Sequence, residues 1–416
     1  MAFIKTPVKG MNDFLPQDMR LREYVISVIK ETYADFGFAQ IETPLVEHIE
    51  NLQSNQGGEN EKLIFKILKR GEKLNLATAE RETDLVDSGL RYDLTLPLAR
   101  YYAAHAEQLF TPFKALQIGN VFRADRPQKG RFRQFTQCDI DILGDETMLA
   151  ETELISATST LLLKLGFEGF RVRVNDRRIL KAMAESCHMP EDRLGSVYIS
   201  LDKLDKIGPE GVKAELIGNG FAEADVDRYL SMFLNREGKT CSELCAGLGD
   251  YLAPSVADGI DHLIRTGSSA LGNHFQLVFD PTLVRGMGYY TGTIFEIEMP
   301  ELNSSVAGGG RYDEMIGKFG ANPTPACGFS IGFERIITIL KDQGYQVPDD
   351  KRKVAFLAEK GLSAEKKVAM FREAAALRAE GVQVMVTTRA KNAKFLKETL
   401  RGEGYEEFKE FFRRED

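Results

Sequence analysis

Apolar residues recur at helical spacing from Asp18 to Phe36 (Leu21, Tyr24, Val25, Val28, Ile29, Tyr33, Phe36), which predicts an amphipathic helix that Gly37 stops. The run from Phe38 to Glu47 is β-like, and Pro44 within it removes a ladder donor, as at a sheet edge or an interface. Alternation from Lys62 to Leu76 around Arg70-Gly71-Glu72 predicts a hairpin. Leu90 to Leu94 predicts a short strand, followed by a helix through Ala104. Phe113–Phe122 and Arg133–Leu143 read as the arms of a longer hairpin, Glu151–Leu165 as a helix, and Phe170–Val174 as a strand.

From Asn175 to Leu271 the texture turns helical with charged faces. Strand signals then resume at Gln276–Asp280, Gly292–Met299, Val306–Gly310 and Ala326–Ile331, before a helix from Phe333 to Asp342. That return marks the helical stretch as an insertion. A hydrophilic linker, Asp342 to Lys353, leads to VAFL, a helix from Ser363 to Glu380, VQVMV and a helix from Asn392, a small βαβα unit. The expected fold class is α+β, an antiparallel sheet flanked by helices. The expected domains are residues 1–174 and 272–342 for the two parts of the main domain, 175–271 for the insertion and 353–416 for the C-terminal unit.

At 416 residues the chain exceeds what one core usually supports, and 43% apolar with 28% charged residues is the balance of a globular protein in water. No apolar run is long enough for a bilayer, so no membrane partner is expected. Five scattered cysteines argue against a disulfide framework and fit a reducing cytoplasm. The net charge is −8, yet residues 351–416 carry 16 Lys+Arg against 11 Asp+Glu, a local +5 that leaves −13 for the rest. A basic appendage on an acidic body leaves phosphate recognition to local patches.

Chemistry concentrates between Gly119 and Gly144, where Arg123, Arg126, Lys129, Arg131 and Arg133 surround a Pro127–Gly130 turn and Asp139 and Asp141 follow. Guanidinium forks bind phosphate bidentately, so an anionic, multi-phosphate ligand suits such a tip. A second segment, LVRGMGYYTGTIFE, places Arg285 before a glycine-flanked turn and Tyr289-Tyr290 at a strand entry. In AGGGRYDEM, three glycines point to a cavity floor or a bulge. Arg335 stands near a helix start, where the dipole disfavours a cation, so it needs an anionic partner such as a ligand, Glu334 or Asp342. In LRYDLT, Asp93 and Thr95 fall on one side of an extended segment and could hold an ammonium group. There is no dinucleotide or P-loop glycine signature, and neither Cys241/Cys245 nor the histidines complete a ligand set. No dedicated metal cage is expected, and catalysis by charge placement is favoured over a nucleophile.

The edge strand with Pro44, the FRADRPQ hairpin and the glycine-rich strand entering a helix with Arg335 resemble, in order, the three signature motifs of class II aminoacyl-tRNA synthetases. LRYDLT, RPQKGRFRQFTQCDIDILG and LVRGMGYYTGTIFE resemble the histidyl-tRNA synthetase family in particular, from about Gly10 to Asp342 and more weakly beyond. Asp93 and Gly288 stand where many bacterial relatives have Glu and Asp. The resemblance implies ATP-dependent activation of L-histidine to histidyl-adenylate and transfer to tRNA(His), with ATP and Mg²⁺, in a cytoplasmic homodimer.

Residue by residue, the resemblance implies Arg123 on the α-phosphate and the histidine carboxylate, and Arg285 as the second catalytic cation there. Asp125 and Arg131 would contact ATP, with Phe132 or Phe135 near adenine and Arg335 on the γ-phosphate. Asp93, Thr95, Gln137, Asp141, Tyr289 and Tyr290 would form the histidine pocket. The C-terminal unit, read as βαβα, is expected to be a shortened form of the family's anticodon-binding domain. A paralogue with the same core is the alternative: the histidine-sensing regulatory subunit of ATP phosphoribosyltransferase, which is not catalytic. Such subunits generally lack the RPQ loop and the LVRG arginine, and this chain has both.

Overall fold

The computed structural model describes residues 3–413 except 57–59, 128–130, 235–237, 273, 285–287, 302–303 and 349–350. The chain divides into two compact units, Met1–Asp13 with Glu23–Gly344, and Phe14–Arg22 with Tyr345–Asp416. No helix among the described residues is long and apolar enough to cross a membrane.

The strands of the first unit are β1 (Ala39–Gln40), β2 (Val46–His48), β3 (Lys66–Leu68), β4 (Val86–Leu90), β5 (Phe113–Phe122), β6 (Gln134–Leu143), β7 (Arg171–Asp176), β8 (Gln276–Phe279), β9 (Thr293–Met299), β10 (Ser304–Arg311) and β11 (Ala326–Gly332). One large sheet runs β1-β5-β6-β11-β10-β9-β7-β8. Its strands from β5 to β7 are antiparallel, and β1 and β8 add in parallel at the two ends. The long hairpin is fully laddered, from Phe113 opposite Leu143 to Phe122 opposite Gln134.

Helices α1 (Pro16–Asp35), α2 (Ile49–Gln56), α3 (Thr95–His105) and α4 (Leu149–Lys164) precede β7. Between β7 and β8 come α5 (Arg177–Ser186), α6 (Leu194–Leu201), α7 (Leu204–Gly218), α8 (Glu223–Leu234), α9 (Cys241–Cys245) and α10 (Pro254–Leu271). Helix α11 (Phe333–Asp342) follows β11 directly. Period-two alternation on β6 sorts the sheet faces. Cys138, Ile140 and Ile142 are buried where α4 and α11 pack, whereas Phe135, Gln137, Asp139 and Asp141 face a pocket on the other side. The packed face is the core, with Leu154, Ile155 and Leu161 from α4 and Ile336, Ile339 and Leu340 from α11 all buried.

Three sequence expectations are corrected here. The Phe38–Glu47 run is two strands, β1 in the large sheet and β2 in a smaller sheet of order β2-β4-β3, because the chain changes sheets around Pro44. Lys62–Leu76 is not a hairpin: β3 pairs antiparallel with β4, and Gly71–Lys73 forms a tight helical turn. Local alternation names a strand but not its partner. The strand expected at Leu90–Leu94 ends at Leu90; Leu94 is already helical in backbone (φ −96°, ψ −14°). Asp93 Oδ1 accepts the Leu96 N–H at 3.1 Å and so starts α3.

The second unit contains β12 (Lys353–Ala358), α12 (Ala364–Ala379), β13 (Gln383–Thr388), α13 (Ala393–Gly402) and β14 (Glu407–Phe411). Ser363 and Asn392 cap the two helices through the Lys366 and Phe395 N–H groups. All three strands are parallel, in the order β13-β12-β14, so the unit is βαβαβ rather than the expected βαβα. The EFKEF stretch hides β14, since its five residues are short of a strand signal and the adjacent charges Lys409 and Glu410 break the alternation. Both faces of β12 are buried, Val354 and Phe356 on one side, Ala355 and Leu357 on the other, as parallel strands require.

Candidate active site

A cavity of about 290 Å³ opens on the pocket face of the large sheet. Its lining gathers Asp93, Thr95, Arg123, Asp125, Arg131, Phe132, Phe135, Gln137, Asp141, Tyr289, Tyr290 and Arg335, segments spread over more than half the chain. Arg285 lies outside the described residues, as does the 128–130 tip of the arginine hairpin.

One end of the cavity is acidic and aromatic. Asp93, Asp139 and Asp141 are all at most 3% exposed. Asp141 Oδ1 accepts the Tyr312 hydroxyl at 2.6 Å, while its Oδ2 is buried without a hydrogen-bond partner. Gln137 Nε2 donates to Ser330 Oγ at 3.0 Å, Ser330 donates to Asp139 Oδ1 at 2.5 Å, and Gln137 Oε1 is buried and unpartnered. Two residues of the cavity lining thus each carry a buried acceptor without a partner. The rings of Tyr289 and Tyr290 meet edge to face at 4.9 Å, and Tyr289 packs on Tyr312 at 6.1 Å.

Burial pushes the Asp141 carboxyl up to about 7, with the Tyr312 hydrogen bond opposing the rise and Asp93 adding to it. Asp139 is raised well above the ordinary carboxylate range by burial, then by Asp141. A site that penalises its own negative charge favours a ligand bringing N–H donors and positive charge.

The other end is basic. Arg123 donates from Nε to the Tyr92 carbonyl at 3.0 Å, with its guanidinium over the Tyr92 ring at 4.3 Å and the Phe135 ring at 5.2 Å. Half-exposed Arg131 lies 4.0 Å from Asp125. Arg335 donates to the Ser305 carbonyl on β10, and Glu334 accepts the Thr136 N–H at 3.3 Å. Arg123, Arg131 and Arg335 at this end and the buried Asp93, Asp139 and Asp141 at the other make a polarised cleft.

Glycines make room for this arrangement. Gly308 and Gly309 on β10 line the cavity floor, where a Cβ on Gly309 would collide with the Gly328 carbonyl. A Cβ on Gly328, opposite Asp141 in the β6–β11 ladder, would collide with Asp141 Oδ1. Gly328→Ala is therefore expected to swing Asp141 off Tyr312 and raise the KM for the ligand of this end roughly tenfold or more, the worth of a displaced charged hydrogen bond. Thermal unfolding should shift by no more than an ordinary overpacking effect of about 1–3 kcal/mol. An unchanged KM would show that Asp141 does not need this space.

Sequence reasoning named Asp139 and Glu334 without placing either in the pocket, and gave no role to Tyr312 or Ser330. Asp139 was legible, since it shares the i, i+2 face of Gln137 and Asp141. The others depend on strands distant in sequence, with Tyr312 hydrogen-bonded across 171 positions.

The chain matches the family model described as histidyl-tRNA synthetase over residues 10–336. It is 44% identical over 417 residues to the histidine–tRNA ligase of Leifsonia xyli subsp. xyli, covering 98% of this chain and 95% of that protein. It is 39% identical over 368 residues to the histidine–tRNA ligase of Flavobacterium johnsoniae, with 80% and 77% covered. The structure of histidyl-tRNA synthetase from Nostoc sp. PCC 7120 superposes with a TM-score of 0.79 at 26% identity, over 97% of this chain and 90% of that one. One from Bacillus halodurans, described as an ATP phosphoribosyltransferase regulatory subunit/histidyl-tRNA synthetase, gives 0.79 at 22% identity and 99% of each chain, a likeness of fold.

Proposed function

The chain belongs to the histidyl-tRNA synthetase family, and we propose that its polarised cleft divides that family's reaction between its two ends. As a class II ligase, the protein activates L-histidine with ATP to histidyl-adenylate and transfers the histidyl group to tRNA(His). The observation that carries the division is the buried, unpartnered Asp141 Oδ2 on the carboxylate held by Tyr312, in a cavity whose lining also carries Arg123, Arg131 and Arg335.

In the acidic end, Asp141 and Gln137 receive imidazole N–H groups, and Tyr289, Tyr290 and Tyr312 enclose the ring. Asp93 and Thr95 hold the α-amino group. The histidine carboxylate oxygen attacks the α-phosphorus, the new O–P bond forms as the bond to the β-phosphate oxygen breaks, and pyrophosphate leaves. We assign to Arg123 and Arg285 the stabilisation of the negative charge that grows in that displacement. Arg131 and Asp125 hold the nucleotide, Phe135 or Phe132 stacks on adenine, and Arg335 clamps the γ-phosphate. No group of three or more metal-binding side chains occurs among the described residues; Asp125 and Glu334, hard oxygen donors in the cavity lining, would help hold Mg²⁺, which would supply charge neutralisation on phosphate oxygens. In the second step a terminal ribose hydroxyl of tRNA attacks the histidyl carbonyl and AMP departs.

We assign tRNA contacts to the insertion and the basic 353–416 unit, and a homodimer interface to α1 and the Pro44 segment, in the cytoplasm. The regulatory alternative shares the fold, so fold does not separate the two readings. Relatives at 44% identity over nearly the whole chain carry the ligase reading. The deciding assay is pyrophosphate–ATP exchange. It should depend on L-histidine and fall about 10²–10³-fold in Arg285→Ala, the scale for one transition-state donor. Absence of exchange together with stimulation of a phosphoribosyltransferase would overturn this assignment.

A further inference from the structure

Arg91, in the LRYDLT stretch, is 4% exposed and contributes no atom to the cavity lining. Its Nε donates to the Asn120 carbonyl at 2.8 Å, and its Nη1 donates to the Thr43 carbonyl at 2.8 Å and Thr43 Oγ1 at 3.3 Å. Its Nη2 lies over Gly119, where a Cβ would collide with it. Gly119 is opposite Gln137 in the β5–β6 ladder, so the guanidinium sits on the same sheet face as the histidine-binding residues, one strand over.

The backbone around Arg91 is tied on both sides. Its N–H donates to the Leu45 carbonyl at 2.9 Å, and its carbonyl accepts the Phe122 N–H at 3.0 Å. Three residues on, the Leu94 carbonyl accepts Gln117 Nε2 at 3.0 Å, and Gln117 Oε1 accepts the Thr43 hydroxyl at 3.3 Å. Thr43 therefore joins the Arg91 contacts to the Gln117 contacts, closing a frame around Tyr92, Asp93 and Leu94. A buried guanidinium spent on neutral acceptors is a costly way to hold a sheet, and burial lowers its pKa, opposed by Glu42 and Asp139. A simple structural brace would not need a charge.

We propose that Arg91 is a positioning residue for the α-amino end of the histidine site: by clamping residues 91–95 onto β5 and Thr43, it sets where Asp93 and Thr95 meet the ligand's ammonium group. The inference rests on the proposed histidine reading. Arg123, by contrast, touches this frame only through Tyr92 and has supports outside it, its N–H donating to the Arg133 carbonyl at 2.9 Å and its guanidinium lying over the Phe135 ring. Loss of Arg91 should therefore weaken the amino end more than the carboxylate end.

Two variants reach the guanidinium from different sides, Arg91→Met by removing it and Gly119→Ala by displacing it. Full-length proteins would be titrated calorimetrically with L-histidinol, which keeps the amine and lacks the carboxylate, and with 3-(imidazol-4-yl)propionate, which keeps the carboxylate and lacks the amine. Histidinol should bind about tenfold more weakly to both variants, the size of one imperfect charged hydrogen bond, with the deamino acid unchanged within about twofold. If Arg91→Met does not fold, Gly119→Ala and Arg91→Lys carry the same comparison. Equal weakening of both probes, or of neither, overturns the positioning role. Failure of the unaltered protein to bind either probe would instead sink the histidine reading.

Discussion

Asp141→Asn is expected to raise the KM for L-histidine about a hundredfold, because a site built around a hydrogen-bonded partner discriminates by several kcal/mol when that partner is lost. The amide keeps the volume and can still accept from Tyr312, but it removes the negative charge facing the imidazole. The same change should stabilise the fold at high pH. The Asp141 carboxyl sits at about 7 against its ordinary 3.8, raised chiefly by burial. A raised acid holds its proton in the folded state while the unfolded chain has lost it, so its contribution is complete below 3.8 and disappears as pH climbs to about 7. Above that, the native protein carries a buried charge that asparagine would abolish. Melting scans should show Asp141→Asn with the higher Tm at pH 8 and the gap closing towards pH 4. Kinetically, kcat/KM for histidine should fall below about pH 7 in the unaltered protein. In the variant that limb should flatten, leaving only the titration of free histidine. A variant that loses stability and affinity together would mean that Asp141 is structural.

Arg123→Ala is expected to lower the rate of adenylate formation about a thousandfold, the upper range for removing one preorganised transition-state donor. Arg123 reaches the cavity from the end of β5, aimed by the Tyr92 carbonyl and stacked between Tyr92 and Phe135. Its fork can span the histidine carboxylate and the α-phosphate together, which a point charge cannot, so Arg123→Lys should recover only part of the loss. Rapid-quench single turnovers at saturating ATP and histidine isolate this step. A drop confined to KM with kcat intact would assign Arg123 to ground-state binding instead.

How far the sequence reached follows from the range of each interaction. The ten-pair hairpin was legible because its partners adjoin in sequence and its arms alternate cleanly. Helices α1, α4, α11 and α12 were legible from periodicity and their stop signals. The partner of β3, the switch of sheets at Pro44 and strand β14 were not, because strand pairing across intervening segments leaves no local trace. Asp93 shows the same limit on a smaller scale. The residue stood out in the sequence, but its segment is not the expected strand: β4 ends at Leu90, and the Asp93 carboxylate accepts the Leu96 N–H in the first turn of α3.

The sequence by itself determined the inventory: which arginines, carboxylates, tyrosines and glycines the chain owns, and the family pattern in which they are spaced. Tertiary structure decided their meaning. Asp141 becomes an unsatisfied acceptor with a raised pKa only because β11 brings Gly328 against it and Tyr312 arrives from beyond β10 to claim one of its oxygens. Burial, and the removal of water that comes with it, turns a common aspartate into a half-satisfied acceptor whose proton is held up to about pH 7. No residue carries that property along the chain, since burial belongs to the surroundings that folding creates.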